Sequence, residues 1–396
     1  MKFKTLDEVE LAQKAVFVRV DLNSPLENGK IKKGPRIQEH IKTLLELAAK
    51  SAKVVVLAHQ GRKGDNDFTS LKPHYKILKR ELKKQNPNIK IKFVEDVCST
   101  KAQKAIEKLP AGQILLLENT RFLDCETEYE KTKKCILIDN LEKYCDVFVL
   151  DALSVAHRAH ASVVGFKKPI RVAGRVMEKE LKALEKFNNP DRPVVLILGG
   201  AKPKDSIKIL KNWIENKADY VLCGGLFANI VLVAASKLNM DVSKHIDEQG
   251  LKELKEIYQK YSQKIFLPLD GAIEENGQKK IIKLQPELNP QAILDIGPKT
   301  IKKYGQIIAL AKSILVNGPM GVYEKKGFGL GTKNILKLVS QSKAFSLIGG
   351  GNTTDALEKF HLKQENFGYV SLSGKALIEY LTENTLVGIK YLNYED

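Results

Sequence analysis

Short apolar runs alternate with helix-like segments along the whole chain. Ten of these runs predict buried strands, at residues 16–20, 54–58, 114–117, 147–150, 194–198, 220–223, 265–267, 314–316, 345–348 and 368–372. Segments with apolar residues every three to four positions lie between them, such as 37–50 and 73–84. Strands that alternate with helices indicate an α/β protein with largely parallel sheets.

The turns after the predicted strands differ between the two halves of the chain. In the first half they carry charged or imidazole side chains. In the second half they are rich in glycine, at residues 199–200, 224–225, 318–321, 349–351 and 373–374. Ligands of open parallel sheets bind beyond the carboxyl ends of the strands. Each half is therefore predicted to hold its own binding site.

The length of the chain agrees with two domains. Its 396 residues exceed the roughly 250–300 at which a single core stops growing. Residues 176–187 have helical spacing and end at a breaker, 188–190, so they predict a linker helix. No apolar run is long enough to cross a bilayer, and the first residues lack the apolar stretch of a signal peptide. We therefore expect a cytoplasmic protein with no membrane partner.

Composition narrows the classes of function. The five cysteines are odd in number and include no C-x-x-C pair, which favours neither a disulfide framework nor a zinc site. We expect free thiols in a reducing compartment. The formal net charge of +18 raises the hypothesis of a nucleic-acid-binding protein. The lysines are spread along the chain rather than clustered, so no nucleic-acid partner is expected.

Arginine is sparse and unevenly placed, with nine among the 65 basic residues. Four of the nine, Arg36, Arg62, Arg121 and Arg158, lie just after apolar runs or in nearby turns. A guanidinium makes planar, bidentate contacts with carboxylate and phosphate, so arginine at these positions indicates an anion site. For each arginine alone, a helix cap or a surface ion pair is the alternative.

Further polar residues accompany these arginines in the first half. They are Asp21, Asn23, His59, Gln60 and Gly61. Together with the arginines they predict a cationic pocket for a small acid that carries both carboxylate and phosphate. A serine hydrolase built on Ser154, His157 and Asp151 is the alternative, but the chain has no G-x-S-x-G nucleophile turn.

The richest glycine turn follows the run at 194–198 and reads G-G-A-K-P-K-D-S. The two glycines allow a tight turn that exposes backbone N–H groups, and the two lysines add positive charge. A helix should begin here, capped by Asp205 or Ser206, and its N-terminus favours phosphate. The P-loop and protein-kinase motifs are absent from the sequence. Five glycine turns in one half therefore predict a nucleotide cradle of another kind.

Seven short motifs follow one another along the chain. They are V-R-V-D-L-N (18–23), H-Q-G-R (59–62), L-L-E-N-T-R-F (116–122), A-H-R-A-H-A-S (156–162), L-G-G-A-K (198–202), N-G-P-M-G-V-Y-E (317–324) and G-G-G-N-T (349–353). In this order they resemble the phosphoglycerate kinase family over nearly the whole chain. The resemblance implies two doubly wound, Rossmann-like parallel-sheet domains joined by a linker helix. The implied bounds are 1–173 with a returning C-terminus at 378–396, a linker at 174–188, and 189–377.

The resemblance also implies ligands and the residues that bind them. The substrates 3-phosphoglycerate and 1,3-bisphosphoglycerate would bind the first domain at Asp21, Asn23, Arg36, His59, Gln60, Gly61, Arg62, Arg121 and Arg158. ATP or ADP with Mg²⁺ would bind the second at Gly200, Ala201, Lys202, Gly224, Gly225, Asn317, Pro319, Glu324, Gly350, Gly351, Asn352 and Thr353. The implied reaction is the reversible phosphoryl transfer of glycolysis and gluconeogenesis, completed by hinge closure. Arg36, Lys202 and Lys375 are the residues expected to act in catalysis.

Three positions depart from the family pattern. Ser206 stands where bacterial and eukaryotic members have a second lysine that reaches the nucleotide phosphates. Lys375 stands where many members have glycine, and we hypothesise that it replaces that lysine, with Lys204 as the rival. Asn352 stands where aspartate is usual near magnesium, although an amide oxygen can still bind the cation. These changes resemble archaeal members of the family.

Two other classes of protein remain as alternatives. A two-domain NAD-dependent dehydrogenase would need a G-x-G-x-x-G turn with an acidic residue about 20 positions later, and neither is found. A basic nucleic-acid-binding protein would have a strongly salt-dependent affinity for its ligand. The oligomeric state, monomer or homodimer, is left open by the sequence.

Overall fold

The computed structural model describes residues 3–27 and 29–393, and its contacts divide the chain into two compact units. Unit 1 comprises Met1–Lys182 and Thr385–Asp396, and unit 2 comprises Ala183–Asn384. Each unit has its own six-stranded sheet. Each is described separately below.

Unit 1 alternates strands with helices. Its strands are β1 (Ala15–Arg19), β2 (Leu26–Glu27), β3 (Lys30–Ile31), β4 (Lys53–Leu57), β5 (Ile91–Phe93), β6 (Ile114–Leu116), β7 (Val147–Leu150) and β8 (Ile170–Ala173). Its helices are α1 (Pro35–Ala49), α2 (Lys72–Gln85), α3 (Thr100–Glu107), α4 (Asp124–Thr132), α5 (Ile136–Leu141) and α6 (Ala161–Val164). The helix α7 (Arg175–Glu185) begins in unit 1 and ends in unit 2. The main sheet is parallel throughout, in the order β5-β6-β4-β1-β7-β8.

Apolar spacing explains why these elements pack together. In α1, Ile37, Ile41, Leu44 and Leu47 recur every three to four residues and are all buried. They belong to the same core cluster as the valines of β1. Burying one such side chain contributes about 1.5–3 kcal/mol. The core therefore fixes the sheet and leaves the turns at its carboxyl edge to carry polar groups.

Unit 2 repeats this plan and adds a small antiparallel sheet. Its strands are β9 (Val194–Leu198), β10 (Tyr220–Cys223), β11 (Ile265–Phe266), β12 (Asp270–Glu275), β13 (Gln278–Lys283), β14 (Asp295–Ile296), β15 (Ser313–Asn317), β16 (Phe345–Gly349) and β17 (Tyr369–Val370). Its helices are α8 (Pro203–Trp213), α9 (Gly225–Ala234), α10 (Glu248–Tyr261), α11 (Pro298–Ile308), α12 (Leu330–Gln341), α13 (Gly351–Lys359) and α14 (Lys375–Glu383). The parallel sheet has the order β11-β10-β9-β15-β16-β17, and the antiparallel sheet the order β13-β12-β14. The last helix, α15 (Val387–Leu392), lies in unit 1.

The structure confirms the α/β fold class and contains each of the ten predicted strands, with ends shifted by at most two residues. The sequence prediction missed β5, β8, the short pair β2 and β3, and the antiparallel sheet of unit 2. One signal for that sheet was available. Asn276 and Gly277 join β12 to β13 with φ values of 51° and 75°, and N-G is the typical dipeptide of a tight hairpin.

The expectation of free thiols is wrong for two of the cysteines. Cys125 and Cys135 form a disulfide, with their Cα atoms 5.0 Å apart. The helix α4 ends where Lys133 adopts a left-handed conformation, and the chain turns back so that Cys135 returns beside Cys125. A spacing of ten residues does not reveal this turn in the sequence. Cys98, Cys145 and Cys223 are free and buried.

The chain returns to unit 1 at Thr385, later than the predicted residue 378. The reason is that α14 packs within unit 2, where the indole Nε1 of Trp213 donates a hydrogen bond of 2.7 Å to the carbonyl of Leu381. The segment predicted as a linker helix coincides with α7. None of the helices in the described part of the chain has the length and hydropathy that crossing a membrane requires.

Candidate active site

Asp21 is a buried carboxylate just beyond the end of β1 in unit 1. Its Oδ2 accepts a hydrogen bond of 2.5 Å from Ser154 Oγ and lies 3.0 Å from Nη1 of Arg36. Burial alone would raise the pKa of Asp21, but Arg36, His59 and Ser154 outweigh it and hold that pKa well below its usual value. Asp21 is therefore ionised and orients Arg36, whose side chain is 33 % exposed and can reach a ligand.

The turn after β4 is held by residues from two neighbouring strand ends. Asn23 Oδ1 accepts a hydrogen bond of 2.8 Å from the backbone N–H of Gly61. Asn119 Nδ2 donates one of 2.8 Å to the carbonyl of Gln60, and Arg121 donates to the carbonyl of Gly61. Gly61 has a φ of +67°, and a Cβ there would lie 2.5 Å from a backbone nitrogen. Only glycine fits this junction of three strand ends.

Four arginines lie at this edge, and we call them the cation cluster: Arg19, Arg62, Arg121 and Arg158. Burial, and then the other three, lower the pKa of Arg121 to about 10. Burial and the nearby arginines also lower the pKa of His160 to about 3, so this imidazole is neutral. Glu126 opposes the effect on Arg121 only in part. A concentration of positive charge of this kind favours an anionic ligand.

Two members of this network were not among the predicted site residues. Arg19 is fully buried; its Nε donates to Ser162 Oγ at 2.8 Å, and its Nη2 lies 2.9 Å from Nδ1 of His59. Glu126 accepts hydrogen bonds from the backbone N–H and the hydroxyl of Ser162, at 2.8 and 2.5 Å. A charged residue inside the apolar run at 16–20 was the available signal for Arg19, because an arginine is almost never fully buried without partners.

The hydrolase alternative is not supported by the contacts of its proposed members. Ser154 donates to Asp21, as described above. Asp151 Oδ2 lies 2.9 Å from Nδ1 of His40 and its Oδ1 accepts from the backbone N–H of Val176. Both groups are therefore engaged in other pairs.

In unit 2, the turns after β9 and β15 are bonded to each other. The backbone N–H of Gly200 donates a hydrogen bond of 2.8 Å to the carbonyl of Pro319. Gly318 has a φ of +94°, and a Cβ there would lie 2.5 Å from the carbonyl group of Gly199. The two strands are neighbours in the sheet. From β9 the chain continues to β10 on one side, and from β15 it continues to β16 on the other. This is the switch point at which doubly wound sheets bind ligands.

A cavity of about 370 Å³ opens at this point, and we call it the glycine cavity. It is lined by Gly199, Gly200, Ala201, Lys202, Asp205, Asn317, Gly318, Pro319, Gly350, Gly351, Asn352, Thr353, Gly374, Lys375 and Ile378. Nine of the residues predicted to hold the nucleotide are in this set, as is Lys375. Thr353 Oγ1 accepts a hydrogen bond of 2.9 Å from the backbone N–H of Gly318, which joins α13 to the turn after β15.

Three helices begin at the glycine cavity, namely α8, α13 and α14. The residues before them, Lys202, Gly350 and Gly374, provide no side-chain cap. Capping by Asp205 or Ser206 was therefore wrong: α8 begins earlier, at Pro203, whose fixed φ suits the first helical position. The first N–H groups of a helix lack intrahelical partners and carry partial positive charge. Three such ends at one cavity favour a phosphate group.

The charged residues of the glycine cavity suit a nucleotide with a divalent cation. Its lining includes Lys202 and Lys375 but not Lys204. Ser206 is buried, and its hydroxyl donates to the carbonyl of Gly199 at 3.1 Å, so this side chain faces the turn. Asp205 and Asn352 add a carboxylate and an amide oxygen. Oxygen donors of this kind, completed by phosphates and water, are those that Mg²⁺ prefers.

Three of the predicted nucleotide residues lie outside the lining of the cavity. Gly224 and Gly225 follow β10, and the backbone N–H of Gly225 donates to the carbonyl of Met320 at 2.9 Å. Glu324 is exposed. Their roles in binding the nucleotide stay predictions. Within residues 3–27 and 29–393, no group of three His, Cys, Asp or Glu side chains is arranged so that it could hold a metal ion.

Comparison with known proteins was made for the whole chain. Residues 6–384 match the family model described as "Phosphoglycerate kinase". The chain is 38 % identical over 407 residues to the phosphoglycerate kinase of Methanothermobacter thermautotrophicus, covering 99 % of this chain and 97 % of that one. It is 40 % identical over 413 residues to the enzyme of Methanococcus maripaludis, covering 99 % and 98 %.

The fold is also similar to a solved structure. The crystal structure of phosphoglycerate kinase from Pyrococcus horikoshii OT3 matches with a TM-score of 0.87 at 32 % identity, covering 98 % of each chain. These findings confirm the resemblance seen in the motifs, including its archaeal character, and give no support to a dehydrogenase or a nucleic-acid-binding protein. The chain belongs to the phosphoglycerate kinase family.

Proposed function

We propose that unit 1 binds 3-phosphoglycerate or 1,3-bisphosphoglycerate, that unit 2 binds ATP or ADP with Mg²⁺, and that the protein transfers a phosphoryl group between them reversibly. The observation that carries this assignment is the pairing of two different anion sites, one on each unit. Unit 1 offers arginines and hydrogen-bond acceptors, whereas unit 2 offers helix N-termini and lysines.

The cation cluster explains the choice of a phosphorylated acid for unit 1. A phosphate between Arg62, Arg121 and Arg158 would relieve the repulsion that lowers the pKa of Arg121. Asp21 and Asn23, at the end of β1, are placed to accept hydrogen bonds from a substrate hydroxyl. Arg36 lies at the start of α1 and would contact the carboxylate end.

The glycine cavity explains the choice of a nucleotide for unit 2. Backbone N–H groups at three helix starts would bind phosphate oxygens, while Lys202 and Lys375 would neutralise charge on the phosphoryl group in transit. Lys375 is the first residue of α14. Its place in the cavity lining supports the hypothesis that it supplies the charge missing at Ser206.

The chemistry requires no general base. The substrate carboxylate is already ionised at neutral pH, so its oxygen attacks the γ-phosphorus directly. The new bond joins that oxygen to phosphorus, and the bond that breaks joins phosphorus to the β–γ bridging oxygen, which leaves with ADP. Catalysis then depends on in-line positioning and on charge stabilisation by Arg36 and Lys202.

Magnesium would enter this site with the nucleotide. Asp205 and Asn352 are the residues that would hold it, directly or through water. Bound there with the nucleotide, magnesium would supply positive charge that offsets the charge developing on the leaving group. Asp205 was not predicted from the sequence as a metal residue.

Since the two ligands bind different units, transfer requires the units to approach each other and to exclude water. This is the hinge closure implied by the family resemblance. The compartment that we propose is the cytoplasm, with the protein acting as a monomer or a homodimer.

A steady-state assay tests the assignment. ADP formation from Mg-ATP should depend on added 3-phosphoglycerate and should fall to background without it or with excess chelator. Glycerate, which lacks the phosphate, should be a poor substrate, because it brings no phosphate charge to offset the positive charge of the cation cluster. ADP formation that is independent of the acid would exclude the proposal.

A further inference from the structure

The disulfide between Cys125 and Cys135 lies beside the predicted substrate site in unit 1. Cys125 is in the first turn of α4, and Cys135 comes directly before α5. The family motifs do not include either cysteine. The bond therefore calls for its own explanation.

Few other side chains hold α4 in place. Of its nine residues, only Glu126 and Tyr129 are buried. The remainder are mostly acidic or polar and exposed to solvent. In the first turn, Lys63 pairs with Asp124 at 2.7 Å, and the cross-link at Cys125 is a second constraint on where this turn lies.

Glu126, the residue after Cys125, is the link to the substrate site. Its carboxylate accepts two hydrogen bonds from Ser162. The hydroxyl of Ser162 in turn accepts from Nε of Arg19, and Arg19 contacts His59. A shift in the first turn of α4 would move Glu126 and, through this chain of contacts, Arg19 and the predicted substrate residue His59.

We propose that the Cys125–Cys135 disulfide is a reversible thiol–disulfide modification site that keeps Glu126 in position and thereby sets the affinity for 3-phosphoglycerate. The proposal rests on the function assigned to unit 1 above. Glu126 acts as a positioning residue, because it reaches the predicted substrate site through Ser162 and Arg19 and through its charge beside Arg121.

The redox step is a two-electron exchange with a thiol of another molecule. An incoming thiolate attacks Cys125, the more exposed sulfur of the pair, and Cys135 leaves as a thiolate. A second thiol displaces Cys125 from the mixed disulfide. Cys125 and Cys135 thus gain two electrons and two protons, and the two donor thiols become a disulfide. Oxidation is the reverse exchange with a small or protein disulfide.

The test compares the oxidised and the reduced protein in the same assay. The redox state is established by the mass of the peptides and by counting thiols under denaturing conditions. We expect reduction to raise the KM for 3-phosphoglycerate by roughly three- to tenfold, the effect of having to re-order one or two side chains on binding. The KM for Mg-ATP should stay unchanged, because unit 2 does not contain the disulfide.

Two variants separate the proposed path from a general loosening of the protein. The double variant Cys125→Ser/Cys135→Ser should have the raised KM in both conditions, and Glu126→Gln should raise the KM and no longer respond to reduction. Cys98→Ser, which removes a buried free thiol of the same unit, should respond like the wild type.

The outcomes are distinct. Equal KM values for 3-phosphoglycerate in the oxidised and reduced protein would overturn this proposal and leave the proposed function intact. A rise in the KM for both substrates would also overturn it, since that result indicates general destabilisation. Absence of acid-dependent ADP formation in both states would overturn the proposed function, and this inference with it.

Discussion

The guanidinium of Arg36 lies 3.0 Å from the carboxylate of Asp21. This ion pair joins the first turn of α1 to the end of β1, two elements whose apolar residues share one core. The packing of the core thus fixes the direction of a side chain that the proposed reaction needs. Binding energy is then not spent on ordering Arg36 when the substrate arrives.

Replacing Arg36 tests this role. We expect Arg36→Ala to lower kcat by about 10²–10³-fold, the usual cost of removing one preorganised donor to the transition state. Arg80→Ala is the control, because Arg80 is an exposed arginine of the same unit, paired with Glu81 on α2. A kcat for Arg36→Ala within twofold of the control would exclude a catalytic role.

Lys375 provides a second test, on the nucleotide side. Loss of a charge-assisted hydrogen bond to phosphate costs about 1.5–3 kcal/mol, so Lys375→Ala should lower kcat by roughly 10- to 150-fold. Lys204→Ala should have a smaller effect, since Lys204 does not line the glycine cavity. Lys343→Ala, at an exposed position away from the cavity, is the control. If Lys204→Ala proved the more damaging change, the replacement hypothesis would fail.

Two glycines with left-handed φ values form a matched pair for stability. Gly277→Ala should cost only roughly 1–2 kcal/mol of backbone strain, because its surroundings are open. Gly318→Ala adds a clash with the carbonyl of Gly199 and should cost roughly 1–3 kcal/mol more, with weaker ATP binding. Urea unfolding and equilibrium binding measure the two effects. If the two variants lost the same unfolding free energy, the proposed clash between a side chain at position 318 and the carbonyl of Gly199 would be contradicted.

One of the buried histidines of unit 1, His160, predicts how stability depends on pH. The folded pKa of His160 is lowered from 6.5 to about 3 by burial and then by the arginines. Below pH 6.5 the unfolded chain binds a proton that the folded protein does not, so the unfolding free energy falls as the pH drops toward 3. His160→Gln should reduce this loss between pH 7 and pH 5. The exposed His245→Gln should not, and an identical loss in all three proteins would count against the assignment.

The sequence predicts the parallel sheets well, because a strand buried on both faces is a continuous apolar run. The five residues of β9 illustrate this, since all are buried. The antiparallel strand β13 is mostly polar and exposed, so periodicity alone does not reveal it. Its N-G turn was the only local signal in that segment.

The residues of the candidate site are predictable from the sequence where they belong to motifs, and less so where they only support the motif residues. The sequence predicts Asp21 and Arg36 as site residues from their positions after apolar runs. It does not predict Glu126, because the role of this residue depends on a disulfide and on contacts with Ser162, 36 positions away along the chain. The sequence predicts Asp205 as a candidate helix cap. It does not cap the helix, because α8 already begins at Pro203.

The central claim is that a phosphoryl group passes to the carboxylate of the acid, and trapping the product tests it directly. The protein is incubated with Mg-ATP, 3-phosphoglycerate and hydroxylamine, which converts an acyl phosphate into a stable hydroxamate. We predict hydroxamate in amounts equal to the ADP formed, and none when either substrate is omitted. ADP formation without hydroxamate would contradict the account.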